Sequence, residues 1–221
     1  MQLVFALVWK DLLIDLRRKE NFISMFLFSV LTLTLFQFAM GDQPRQFLVV
    51  LPGIIWVVFL MTGVLGLSKA FQQEVETGCI RALLLSPVDR TLLFLGKMLA
   101  TTLFLLLSQL FFIPLCLLFF NLVLERWGVF MLLSFAGTLG FSALGTLLTA
   151  MTATLRGKEV LLPVLLFPLM IPCLLSVVKI TAFLLFDSNA EEVNSWWQLL
   201  IGFDAILCVV SMLGFEFVME E

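Results

Sequence analysis

The sequence predicts an all-α polytopic membrane protein, with six spanning helices behind an N-terminal interfacial helix and one longer polar segment on the inner side. Three observations carry this. Of the 221 residues, 62% are hydrophobic and 13% charged, and the mean hydropathy is +1.13, far above the apolar share of a soluble domain. Apolar runs of about 20 residues, enough to cross a hydrocarbon core of roughly 30 Å as a helix, recur along the whole length. The basic residues collect between alternate runs. Residues 1–221 therefore read as one transmembrane domain, in which 1–21 form the interfacial helix and 68–90 the polar segment.

The first twenty residues do not span, because Lys10, Asp11, Asp15 and the run Arg17-Arg18-Lys19-Glu20 interrupt them. Leu12, Leu13 and Leu16 share a helical face with Trp9, which suits a helix lying flat at the interface, with Lys10, Arg17 and Arg18 toward headgroups. A charge run that only fixes topology is compatible with the same residues. No basic region precedes the apolar start and no small-residue cleavage site follows, so a cleaved signal peptide is not expected. The six spans are drawn at Phe22–Met40, Phe47–Leu67, Leu92–Leu124, Val129–Leu155, Val160–Phe186 and Trp197–Val218. The third is too long for one perpendicular crossing; Asp89 is its expected cap, and Lys97 is expected to snorkel outward from its start.

Ten of the thirteen Lys and Arg residues fall on the side of the N-terminus, leaving Arg45, Arg126 and Lys179 on the other. That bias predicts that both termini and Ser68–Arg90 face the cytoplasm. The outer loops are then the short GDQPRQ, ERWG and DSNAEEVNS. A net charge of −3 without a basic stripe excludes nucleic-acid binding. The chain has no histidine, and its four cysteines form no CxxC pair, so neither a metal site nor a cofactor held by this chain is expected. Cys116, Cys173 and Cys208 read as small hydrophobes in apolar runs, while Cys79 lies in the polar segment. No phosphate-binding loop exists, since Gly96-Lys97 and Gly157-Lys158 lack the preceding glycine. The chain is expected not to be an enzyme, and ATP hydrolysis would need a separate subunit. An intramembrane enzyme is disfavoured because zinc-like ligand sets and paired acids at membrane depth are missing.

The polar segment SKAFQQEVETGCIRALLLSPVDR reads as a short amphipathic helix ending near Gly78, with Phe71, Val75 and Gly78 on one side. Glu74 and Glu76 would be repelled by an anionic leaflet and suit basic side chains on a soluble partner. An ordinary polar loop is the alternative. EVETGCIRALLLSPVDR resembles the E-x-E-x-G-x-x-x-x-L-L-x-x-P segment of ABC-2-type permeases, and with LPGIIWVVFLMTGVLGLSKAF, LLPVLLFPLMIPCLL and WKDLLIDLRRKE the chain is similar to the haem exporter protein B (CcmB) permeases of cytochrome c maturation. The resemblance implies the ABC-2-type permease fold, with Phe71, Glu74, Val75, Glu76 and Gly78 on the coupling helix that contacts an ATP-binding subunit. It also implies a homodimer, haem as cargo of the complex, a haem-handling membrane subunit and a periplasmic haem chaperone. At Gly78-Cys79-Ile80-Arg81 the chain departs from the family pattern, so no partner contact is carried to Arg81. The complex would either move a substrate or release a haem-loaded chaperone. An ABC-2 permease for another amphipathic cargo, a lipid or glycan, is the competing reading.

Within the spans, Pro163, Pro168 and Pro172 interrupt the fifth run, either as a mobile gate or as permanent kinks. Lys179 and Asp204, each reckoned roughly 10 Å deep from the outer end, read as an ion pair, or Lys179 as a site for a substrate carboxylate. Trp196-Trp197 reads as an interfacial anchor. Ala136, Gly137, Gly140, Gly145, Thr149 and Ala153 allow close helix approach, either within the chain or between copies. Gln109 is expected to hydrogen-bond across helices, and Glu216 to reach the inner interface.

Overall fold

The computed structural model describes residues 2–17, 19–40, 44–76, 89–122, 124–152, 158–186 and 190–218. Among these, seven helices follow one another: α1 (Gln2–Arg17), α2 (Lys19–Met40), α3 (Pro44–Glu76), α4 (Arg90–Phe120), α5 (Trp127–Thr152), α6 (Lys158–Phe186) and α7 (Ala190–Val218). Six of them, α2 to α7, are long and apolar enough to cross a membrane, and the described residues contain no strand. The chain is a multi-pass, all-helical membrane protein.

Cross-helix contacts fix the directions. Met25 meets Gly66, and Ser29 faces Thr62, so α2 and α3 run oppositely. Gln109 reaches Thr138 and Thr102 reaches Ser142, so α4 opposes α5. Trp56 meets Gly137 and Leu67 meets Gly145, so α3 runs with α5. Asp204 meets Gly140 and Leu147 meets Gly214, so α7 runs with them too. The helices therefore alternate, as short connections between neighbours require. The start of α4 meets α1 through Gly96 and Leu7 and the end of α7 through Phe94 and Phe215, whose rings lie 5.4 Å apart. Both described ends of the chain thus share one end of the bundle, toward which the C-terminal halves of α3, α5 and α7 also run.

The centre is occupied by α5 and α3, whose spanning windows are 72% and 67% buried against 33% or less for the others. Their glycines explain this. Without a side chain at Gly137, Trp56 and Val177 pack directly on the α5 backbone, and at Gly145 Leu67 does the same. Gly137 and Gly145 of the fourth span therefore serve packing within the chain, and Ala153 lies outside the described residues. Outward-facing Leu31, Leu35, Val164, Leu213 and Phe217 are exposed and apolar, as a lipid-contacting surface requires.

Several boundaries differ from the sequence expectation for physical reasons. α3 passes without a break through Ser68 and on to Glu76, because residues 67–76 contain neither proline nor glycine and are mostly good helix formers. The expected separate amphipathic helix is, over its described part, the C-terminal continuation of the second span. α7 begins at Ala190, so the last part of the expected DSNAEEVNS loop is helical, and Trp196 and Trp197 pack half-buried against the core. Lys97 does not snorkel: it is buried at 6% exposure, because the start of α4 is covered by α1. The expected cap is present, with Asp89 Oδ1 accepting from Thr91 N at 3.1 Å, and α4 ends at Asn121 in the left-handed conformation, φ 48°.

Candidate functional site

The interior carries polar contacts at helix–helix joints, several of them placed by the hydroxyl spacing of α5. Ser134, Thr138, Ser142, Thr146 and Thr149 recur at three- and four-residue intervals and are all buried, and Thr138 and Ser142 among them face α4. Gln109 Nε2 donates to Thr138 Oγ1 at 2.9 Å, as expected of a cross-helix bond, and Thr102 and Ser142 share a hydroxyl contact of 2.5 Å. On another side Trp56 Nε1 donates to Thr181 Oγ1 at 2.8 Å, joining α3 to α6. Most of these hydroxyls also donate to a carbonyl one turn back, as Thr138 does to Ser134 O and Thr181 to Val177 O.

The most unusual member is Asp204. It lies equidistant from the two ends of α7, about 21 Å from each at helical rise, and is buried at 6% exposure. Its Oδ1 accepts from Cys173 Sγ at 3.2 Å, and the carboxylate rests against the bare backbone of Gly140. Cys173 and Gly140 are themselves close to the midpoints of α6 and α5. Three helices therefore meet at one buried acid in the middle of the bundle, where an ionisable group is expensive and usually functional.

This corrects the expected ion pair. Lys179 is exposed and makes no salt bridge with Asp204. The Cys173–Asp204 contact sets the register of the antiparallel α6 and α7, which puts Lys179 about 9 Å nearer the C-terminal end of α6 than the carboxylate. Depth reckoned from Trp196-Trp197 is too shallow, since α7 begins before them. Cys173 is more than a small hydrophobe, and nothing in its local sequence except its mid-span position hints at the acid. Pro163, Pro168 and Pro172 all lie inside the single helix α6, and Ser176 Oγ donates to Pro172 O at 2.8 Å.

At the end of the bundle shared by both chain ends, α1 turns Leu7 and Asp11 inward, both buried. Phe5 and Trp9 stay exposed and stack with centroids 6.4 Å apart. Lys10 Nζ lies 3.1 Å from Asp11 Oδ1, and Arg17 closes the helix; Arg18 is outside the described residues. Phe71, Glu74, Val75 and Glu76 form the last turns of α3, whereas Gly78 is outside the described residues. α3 is 33 residues long, about 50 Å at helical rise against a core of roughly 30 Å. Its tip therefore extends well past the apolar window, which closes at Ser68. Among the described residues no cluster of His, Cys, Asp or Glu could hold a metal ion.

A family model described as CcmB protein matches residues 2–219. Heme exporter protein B of Haemophilus influenzae is 28% identical over 169 residues, covering 76% of each chain. The protein of the same name from Pseudomonas aeruginosa is 32% identical over 159 residues, 72% of this chain and 71% of that one. The Escherichia coli K12 counterpart is 29% identical over 90 residues, 41% of each. With a match running from the first turn of α1 to just past the end of α7, this chain belongs to the CcmB protein family.

Proposed function

We propose that this chain is the membrane-spanning permease subunit of an ABC-type complex in haem export for cytochrome c biogenesis. Family membership over nearly the whole chain, with relatives named heme exporter protein B, is the observation that carries the reading. ATP hydrolysis belongs to a separate ATP-binding subunit, which fits the lack of a phosphate-binding loop in the sequence. A second copy of this chain, a haem-handling membrane subunit and a periplasmic haem chaperone complete the assembly in the bacterial inner membrane. Both termini face the cytoplasm, in keeping with the charge bias.

In this proposal the tip of α3, with Phe71, Glu74, Val75, Glu76 and Gly78, docks on the ATP-binding subunit. Because α3 is one unbroken helix and packs against α2, α5 and α6, a tilt imposed at the tip moves the second span as a lever. α1 lies at the membrane surface beside this end, with Trp9 toward lipid and Lys10, Arg17 and Arg18 toward headgroups. Pro163, Pro168 and Pro172 give α6 its flexing points, and Lys179 is the cation for an acidic group of the cargo. Purification of the complex tests the reading: Glu74→Lys with Glu76→Lys should release the ATP-binding subunit while the chain stays folded. A complex that survives both reversals with normal ATP turnover would refute the docking.

A further inference from the structure

A crevice between α2, α3 and α4 carries an inference that does not depend on the proposed function. Its walls include Phe22, Phe26, Phe59 and Phe112, and its polar edge is Gln109 with Ser29, Thr62 and Ser108. Gln109 is buried at 4% exposure. Its Nε2 donates to Thr138 Oγ1, and Thr138 spends its own hydroxyl proton on Ser134 O at 2.6 Å. Thr138 can therefore only accept, so the amide has one orientation and cannot be flipped. Gln109 Oε1 is left buried without a partner, an unfavourable state unless something donates to it.

The other polar groups there do not fill that need. Ser108 Oγ donates to Phe104 O, Ser29 Oγ to Met25 O and Thr62 Oγ1 to Val58 O. Ser29 Oγ and Thr62 Oγ1 also lie 3.2 Å apart and can bond each other, so these protons are taken up by one another or by their own helices and the edge of the crevice presents acceptors. An occupant must bring a donor, and an anionic or acceptor-only group is disfavoured. The crevice measures about 430 Å³ counted out to its open mouth and narrows inward. The narrow inner part suits a hydroxyl, and the aromatic side chains of the open part offer apolar contact to a ring seated in the mouth. The mouth opens on the bundle surface beside Phe26, 40% exposed, and Phe111, 54% exposed, where α2 and α4 are bridged by the edge-to-face contact of Phe22 and Phe111 at 5.1 Å.

We propose that this crevice binds a neutral, membrane-dissolved molecule of the phenol or quinol class, entering sideways between α2 and α4 and donating its hydroxyl to Gln109 Oε1. The test uses the full chain in lipid nanodiscs with two photoreactive probes, a long-chain alkylphenol and its O-methyl ether. The phenol should label peptides of α2 and α4 saturably, and the ether, which has no donor, should bind about tenfold more weakly. Gln109→Leu should abolish that preference. Since Gln109→Leu also removes the bond to Thr138, the surface substitution Phe26→Trp, which narrows the mouth, provides an independent variant and should reduce phenol labelling. Equal labelling by the two probes in the wild-type chain, or labelling outside α2 and α4, would overturn the proposal. Absence of saturable labelling would do so as well, assigning Gln109 Oε1 to a trapped water.

Discussion

Alanine at position 140 should weaken the joint of α5, α6 and α7 by about 2–4 kcal/mol. A Cβ built on Gly140 overlaps Asp204 Oδ1 and lies 3.0 Å from its Cγ. The colliding group is a short, buried carboxylate with little room to swing, so relief requires either a shift of α7 or loss of the Cys173 bond. Overpacking of this kind costs about 1–3 kcal/mol, and a hydrogen bond between membrane helices adds about 0.6–1 kcal/mol. The measurement is the unfolding free energy in mixed micelles, together with the alkylation rate of Cys173, buried at 1% exposure. If opening of the joint limits alkylation, the rate should rise by about thirtyfold to several hundredfold. Gly202→Ala, with nothing within 4 Å of the added methyl, serves as the control and should stay within about 0.5 kcal/mol. Asp204→Ala placed in the Gly140→Ala background should recover at least half of the loss. Wild-type stability and alkylation in Gly140→Ala, or no recovery in the double variant, would refute the close fit of acid and glycine.

The other predictions concern the remaining joints. Asp89→Ala should cost about 1 kcal/mol in the same unfolding measurement, because Thr91 N loses its acceptor at the start of α4; no change would mean that the cap is not stabilising. Gly63→Ala, which sets a methyl 2.9 Å from the Phe141 ring, should cost about 1–3 kcal/mol. Gly145→Ala meets the flexible end of Leu67 and should cost less, and the reverse order would contradict the packing of α3 on α5. Ser68→Pro breaks the α3 lever at a cost of about 3 kcal/mol. It should leave the ATP-binding subunit attached while haem export falls, and export at the wild-type rate would argue against transmission through α3.

Much of the architecture could be read from hydropathy because lipid demands long apolar helices, and Asp89 and Gln109 announced their roles by position and type. Three errors arise where polar or interfacial residues are taken as markers of the water boundary. Ser68 to Glu76 change the solvent a helix meets without ending the helix. Lys97 is shielded by α1, an element that sequence places at a distance. The depth of Asp204 was measured from tryptophans that sit inside α7. Its true partners, Cys173 and Gly140, depend on helix register, which side-chain chemistry alone does not encode. Their central positions in α6 and α5 were the available signal.

The central placement of Asp204 also bears on how the chain enters the membrane. An aspartate at the centre of an isolated helix opposes insertion by about 2.5–3.5 kcal/mol, and α7 is synthesised after both α5 and α6. Its acid becomes tolerable only where Gly140 leaves a hollow and Cys173 offers a thiol proton. The late helix is therefore expected to leave the insertion machinery onto an already assembled α5–α6 pair, making vectorial synthesis part of how this bundle is built.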